Sequence, residues 1–190
     1  MEYIINFDIE NKDSNLLEKL IHKARVIIEK DNDIKASALV NKCDYASNIM
    51  SLLLDEENID YSIKNTVDIL GNDVLGHQFV VVYLDDNSYI VDLTYLQFFI
   101  KDRCQANLFK EVEGVTIISP DPGYYYVDNK DMMDVAMSIL QKGYVKLDER
   151  SAKAYLDSFY LTRRGRRFDI DIKASTYLNA LNIKDKNKVK

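Results

Sequence analysis

Scarcity bounds this chain before any motif does. Its 190 residues include no tryptophan, two prolines, two cysteines, two histidines and six glycines. Two cysteines, Cys43 and Cys104, cannot make a disulfide framework; they suit a reducing compartment, or a fold that does not depend on oxidation. Two cysteines and two histidines at scattered positions match no zinc spacing, so no metal and no other cofactor is expected. No stretch reaches the roughly eighteen apolar residues of a membrane span. The opening "MEYIINFDIENKD" lacks the basic-then-apolar order of a secretory signal. The expected location is the cytoplasm, or the cell exterior by a route that needs no such signal. A net charge of −6 argues against a nucleic acid or an anionic membrane as the main partner. The basic run Arg163–Arg167 is a local exception. With no aromatic residue interleaved for base stacking, it reads as a solvated turn.

What is present is ordinary for a globular protein: 47% apolar and 29% charged residues. The length permits one domain with an appendage, buried without staples. "NLLEKLIHKARVIIEK" places Leu16, Leu17, Leu20, Ile21, Ala24, Ile27 and Ile28 on one helical stripe, with Asp13 or Ser14 as cap and His22 beside it. "YASNIMSLLLDEEN" gives a second amphipathic helix. Tyr61–Leu70 reads as a strand, turned by Gly71-Asn72-Asp73. The run "GHQFVVVYLDDNSYIVDLTYLQFF", from Gly76 to Phe99, reads as two strands joined by a polar turn. The first is apolar on both faces, which marks a central strand. A short strand "GVTIIS" and a loop holding both prolines follow. Helices are then expected over Met132–Lys142, Asp148–Tyr160 and Ile172–Leu181. Helices, then an antiparallel sheet, then helices make an α+β chain. The expected division is a core over 1–118, a C-terminal helical extension over 119–183 and a flexible tail over 184–190.

The hairpin raises a chemical question, because it carries His77 and Asp92 inside apolar strands. Cys43, in "ALVNKCDYASNIM", offers a partner. A helix capped by Asn41 puts that sulfur in the first turn, where unpaired N–H groups and the helix dipole stabilise a thiolate. Free cysteine titrates near 8.5, and such positions bring it to about 3.5–7.5. A nucleophilic thiolate needs a base, and the base needs an acceptor that fixes its tautomer; His77 and Asp92 supply these roles. Each residue alone has a plainer reading: packed thiol, strand-edge imidazole, turn-capping carboxylate. Register poses the test. A symmetric hairpin closing on Asp86-Asn87 pairs Asp92 with Val81, leaving His77 four residues, about 13 Å, away. The triad therefore requires a longer loop or a bulge.

With these residues in view, "GHQFVVV…YIVDLTYLQFF" resembles the papain-like/transglutaminase-like superfamily of Cys–His–Asp enzymes, in chain order and in helix-then-strands placement. The run Asp92-x-Thr94-x-x-Gln97-Phe98 is similar to bacterial papain-fold toxin and effector domains, including glutamine deamidases. The likeness covers roughly residues 41–99. It implies a papain-like core and a cysteine-dependent amidohydrolase acting through an acyl-enzyme, with Cys43, His77 and Asp92 catalytic and a protein or peptide amide as substrate. Glutamine deamidation comes first among the implied activities; proteolysis or transglutaminase-type acyl transfer uses the same machinery. Ser37 stands where papain-type proteases carry an oxyanion-hole glutamine, so that role falls to backbone N–H groups at Cys43 and a neighbour. A non-enzymatic interaction protein, with Tyr124–Tyr126 in an interface, is the rival from another class. Cys104 reads as structural.

Overall fold

The computed structural model describes residues 3–6, 16–32, 42–74, 76–85, 87–99, 110–112, 115–118, 130–159 and 172–185. Asp13, Ser14, Ser37, Asn41, Cys104, Tyr124–Tyr126, Arg163–Arg167 and the chain from 186 onward lie outside them. The order of elements is β1 (Tyr3–Asn6), α1 (Leu16–Asn32), α2 (Cys43–Glu56), β2 (Asp60–Asn65), α3 (Thr66–Leu70), β3 (Gln78–Tyr83) and β4 (Ser88–Val91). A short 3-10 helix (Tyr95–Phe99), β5 (Lys110–Val112), β6 (Val115–Ile118), α4 (Lys130–Lys142), β7 (Tyr144–Lys146), α5 (Glu149–Asp157) and α6 (Ala174–Asn182) follow. The fold is α+β. Among the described residues no helix is long and apolar enough to cross a membrane.

A four-stranded antiparallel sheet, in the order β2-β3-β4-β7, organises the site. β3 is central, as its two apolar faces require. Val80 and Val82 face Leu17, Ile21, Met50 and Leu54 of α1 and α2. Phe79, Val81 and Tyr83 face the opposite layer, which α4, α5 and α6 complete through Ile139, Tyr155 and Tyr177. β1, β6 and β5 form a separate three-stranded antiparallel sheet.

Three expectations are corrected. The segment Tyr61–Leu70 is not one strand, because the Asn65 side chain accepts the Val67 N–H at 3.0 Å and caps a short helix, α3. The boundary at 118/119 does not separate a core from an extension: β7 pairs with β4 and α5 covers the same sheet. Nor does a loose tail begin at 184. The Asp185 N–H donates to Ser62 Oγ at 3.0 Å, and Lys64 Nζ donates to the Ile183 carbonyl at 2.6 Å. These bonds tie the last described residues to side chains of the edge strand β2.

Candidate active site

The site forms at one end of the four-stranded sheet, from residues that sit just beyond strand ends. His77 precedes β3, and its backbone is held at both polar groups by Thr66. His77 N–H donates to Thr66 Oγ1 and Thr66 N–H donates to the His77 carbonyl, each at 2.9 Å. Asp92 follows β4, and its N–H donates at 3.0 Å to the carbonyl of Gly143, which ends α4. Hydrogen bonding thus continues one residue past each strand and fixes the backbones of His77 and Asp92.

The register resolves the geometric condition set by the sequence. Val81 pairs with Ile90 and Tyr83 with Ser88, so the turn spans four residues, closed by Leu84 N–H on the Asn87 carbonyl at 3.0 Å. This longer loop places Asp92 level with Phe79 rather than Val81. The remaining two-residue offset is about 7 Å of strand, and the two side chains span it, both being on the face of Phe79. His77 Nε2 lies 2.7 Å from Asp92 Oδ2.

Cys43 arrives from the opposite layer as the first residue of α2. The cap residue is Lys42, with no side-chain hydrogen bond, and Asp44 falls second in the helix rather than third. The cap thus falls at Lys42 rather than at the expected Asn41. Ala46 is the first residue to bond back, to the Lys42 carbonyl at 2.9 Å. The start of α2 therefore has no side-chain cap for its first N–H groups.

Electrostatics ties the three groups together. Burial opposes ionisation of Cys43, yet the neighbouring His77, with the Gln78 backbone N–H, brings its pKa below the ordinary thiol value. Its place at a helix start acts in the same direction. Burial also opposes charge on His77. The charge and hydrogen bond of Asp92, joined by Cys43, outweigh it and raise the imidazole from 6.5 to about 9. Both shifts favour a thiolate–imidazolium pair. Because Nε2 is engaged by Asp92, Nδ1 is the nitrogen left for the sulfur; in this structure it closes no hydrogen bond.

His77 and Asp92 are 1% and 4% exposed, so water cannot screen their contact. The imidazole stacks on Phe159 (5.4 Å between centroids, 20° between planes) and meets Phe98 edge-on at 4.7 Å. A buried imidazolium gains from such rings. Asp92 serves two purposes through two oxygens. Oδ1 accepts the Thr94 N–H at 3.1 Å, capping the turn into the 3-10 helix. Oδ2 takes His77 and also the hydroxyl of Tyr155 at 2.8 Å. One carboxylate thus caps the turn and contacts the imidazole at once.

Cys43 is half-buried, and the hollow beside it is lined by Ala46, Ser47, Met50, Gln78 and Thr94 among others. Its free space, about 10 Å³, is about that of one water molecule. Among the described residues no group of three His, Cys, Asp or Glu side chains could hold a metal. His22 is exposed on α1, away from these residues.

Sequence reasoning named the three central residues and missed their supports: Thr66, Phe98, Tyr155 and Phe159. One signal was available for the last two. Tyr155 and Phe159 stand four apart in a helical run, which puts both rings on one face. What that face would meet was not readable. Compared with protein-family models, curated proteins and solved structures, the chain finds no match in any of the three.

Proposed function

We propose that this protein is a cysteine-dependent amidohydrolase working through an acyl-enzyme, and that glutamine deamidation of a protein substrate, as in toxin or effector domains, is its specific activity. The observation that carries the reading is one connected chain of groups. A half-buried sulfur at a helix start couples to a buried imidazole, whose far nitrogen lies 2.7 Å from a buried carboxylate.

The steps follow from these positions. The Cys43 thiolate attacks the amide carbon, forming a C–S bond while the carbonyl electrons move to oxygen. The N–H groups at the uncapped start of α2 can donate to that oxyanion, which needs preorganised donors. As the intermediate collapses, the C–N bond breaks and Nδ1 of imidazolium His77 gives its proton to the departing nitrogen. Neutral His77 then takes a proton from water. The resulting hydroxide equivalent attacks the thioester, and the sulfur leaves as thiolate. Asp92 holds the ring throughout. Water as acyl acceptor gives deamidation or proteolysis; an amine gives transfer.

Iodoacetamide alkylation of the pure protein, followed by mass spectrometry across pH, tests the thiol. Cys43 should react with a pKa below the 8.5 or so of free cysteine, and His77→Ala should move it back up. A wild-type value equal to that of free cysteine and unmoved in His77→Ala would favour the non-enzymatic reading. Glutamine-bearing substrates then separate the activities: deamidation adds the small mass of amide-to-acid conversion, and proteolysis cuts the chain. Cys43→Ala should abolish either.

A further inference from the structure

Tyr155 belongs to α5, 63 positions beyond Asp92. Its side chain is fully buried, and its hydroxyl reaches the same carboxylate oxygen that engages His77. With the Thr94 N–H on the other oxygen, Asp92 accepts three hydrogen bonds inside the protein. We propose that Tyr155 is a positioning residue of this site: its hydroxyl sets the direction of the Asp92 carboxylate and draws down the charge on the oxygen that faces His77. The inference rests on the reading of Cys43, His77 and Asp92 as a thiol acyl-transfer site, and it deepens that reading.

The physical case is one of balance. A carboxylate facing an imidazolium in a dry, low-dielectric setting attracts its proton strongly. A general acid must release a proton to the leaving group, and a partner that holds the cation too firmly works against release. A second donor on the same oxygen takes up part of its charge, so the carboxylate pulls less on the ring. It also fixes the torsion of the carboxylate, because Oδ1 and Oδ2 are now pinned by different elements. The groups that titrate against His77 are Asp92, after β4, and Cys43, from α2. Tyr155 acts through Asp92, and the rings of Phe98 and Phe159 cover other sides. Tyr95 is the natural control. Its buried hydroxyl pairs with Ser158 Oγ at 3.1 Å in the same aromatic cluster.

The test compares the full pH profile of Cys43 alkylation in the wild type, Tyr155→Phe, Tyr95→Phe, His77→Ala and a chain with 3-fluorotyrosine at 155, whose hydroxyl is the stronger donor. The upper inflection reports loss of the imidazolium proton. In Tyr155→Phe it should move up by about half a pH unit, about threefold in the equilibrium. In the fluorotyrosine protein it should move down, and in Tyr95→Phe it should stay. If Tyr155→Phe does not fold, the fluorotyrosine protein, which keeps ring and hydroxyl, decides by the direction of its shift. An inflection lost in His77→Ala but unmoved by either change at 155 overturns this inference alone. A His77→Ala profile identical to the wild type overturns the thiol-site reading and this inference with it.

Discussion

Beneath α1 and α2 the central sheet meets an aliphatic layer: among the described residues the buried hydrophobic side chains there are leucine, isoleucine, valine, alanine and methionine, and Tyr45, Tyr61, Tyr89 and Tyr144 pack against them only partly buried. Beneath α4, α5 and α6 the same sheet meets Phe79, Tyr83, Tyr95, Phe98, Tyr155, Phe159 and Tyr177. The difference follows the chemistry each layer holds. The aliphatic layer carries α2, and through it the Cys43 backbone, on close-packed surface. The aromatic layer holds a buried imidazole and carboxylate, which need both hydrogen-bond partners and polarisable rings. A tyrosine supplies the two at once, as Tyr155 does for Asp92. Burying such a pair among leucines would leave the third acceptor position of the carboxylate empty at considerable cost.

Breaking the aromatic layer at its charge should have the largest effect. Asp92→Ala leaves the imidazole of His77 and the hydroxyl of Tyr155 without their acceptor, and breaking such a buried pair costs about 3–5 kcal/mol. The loss should depend on pH with a definite sign. His77 has its folded pKa raised from 6.5 to about 9, so its contribution is fully present below about 6.5 and disappears as pH rises through about 9. Denaturant unfolding of wild type and Asp92→Ala at pH 6 and pH 9.5 should therefore show the gap narrowing at the higher pH. The matching change in the aliphatic layer, Leu54→Ala, should cost about 2–5 kcal/mol and cost the same at both pH values. A gap for Asp92→Ala that is flat with pH would erase the distinction between the layers.

A smaller effect sharpens the comparison at the point where the two layers meet. Gly143 has φ +82°, ends α4, and gives its carbonyl to Asp92. A Cβ there would lie 2.8 Å from Ile21 Cγ2 and 3.3 Å from Leu93 Cδ2, both of the aliphatic layer. Gly143→Ala should cost about 2–3 kcal/mol from left-handed strain and crowding, and should also disturb Cys43 reactivity by displacing Asp92. A stability loss with an unchanged alkylation profile would show that the Asp92 backbone is held without Gly143. Least of all, Asn65→Ala should remove a helix cap worth about 1 kcal/mol. Thermal melting would register it, with Cys43 alkylation untouched if Thr66 alone holds the His77 backbone.

The elements legible in the sequence were those whose signal is local. The stripe from Leu16 to Ile28 specifies α1, and the doubly apolar Gln78–Tyr83 run specifies a central strand. Asp148, followed three residues on by Ser151, forms the capping box of α5. The miss at Thr66–Leu70 was also local in origin, a five-residue helix that one asparagine side chain starts against the strand-like composition. For the site, residue types at a helix start and in apolar strands were enough to nominate Cys43, His77 and Asp92. The residues that support them lie 11 to 82 positions in sequence from the residue each one touches, and no pattern along one strand or helix encodes such a meeting.

By itself, the sequence determined the α+β class, the central hairpin, and a shortage of histidine and cysteine so severe that one of each had to serve any thiol chemistry. Whether the imidazole and the carboxylate touch was decided only in three dimensions. A four-residue turn chose the register, and packing of a distant helix brought a tyrosine to Asp92. The reason is physical: side-chain periodicity says which face a residue takes, whereas its height along the sheet depends on how neighbouring strands and the helices above them are jointly packed.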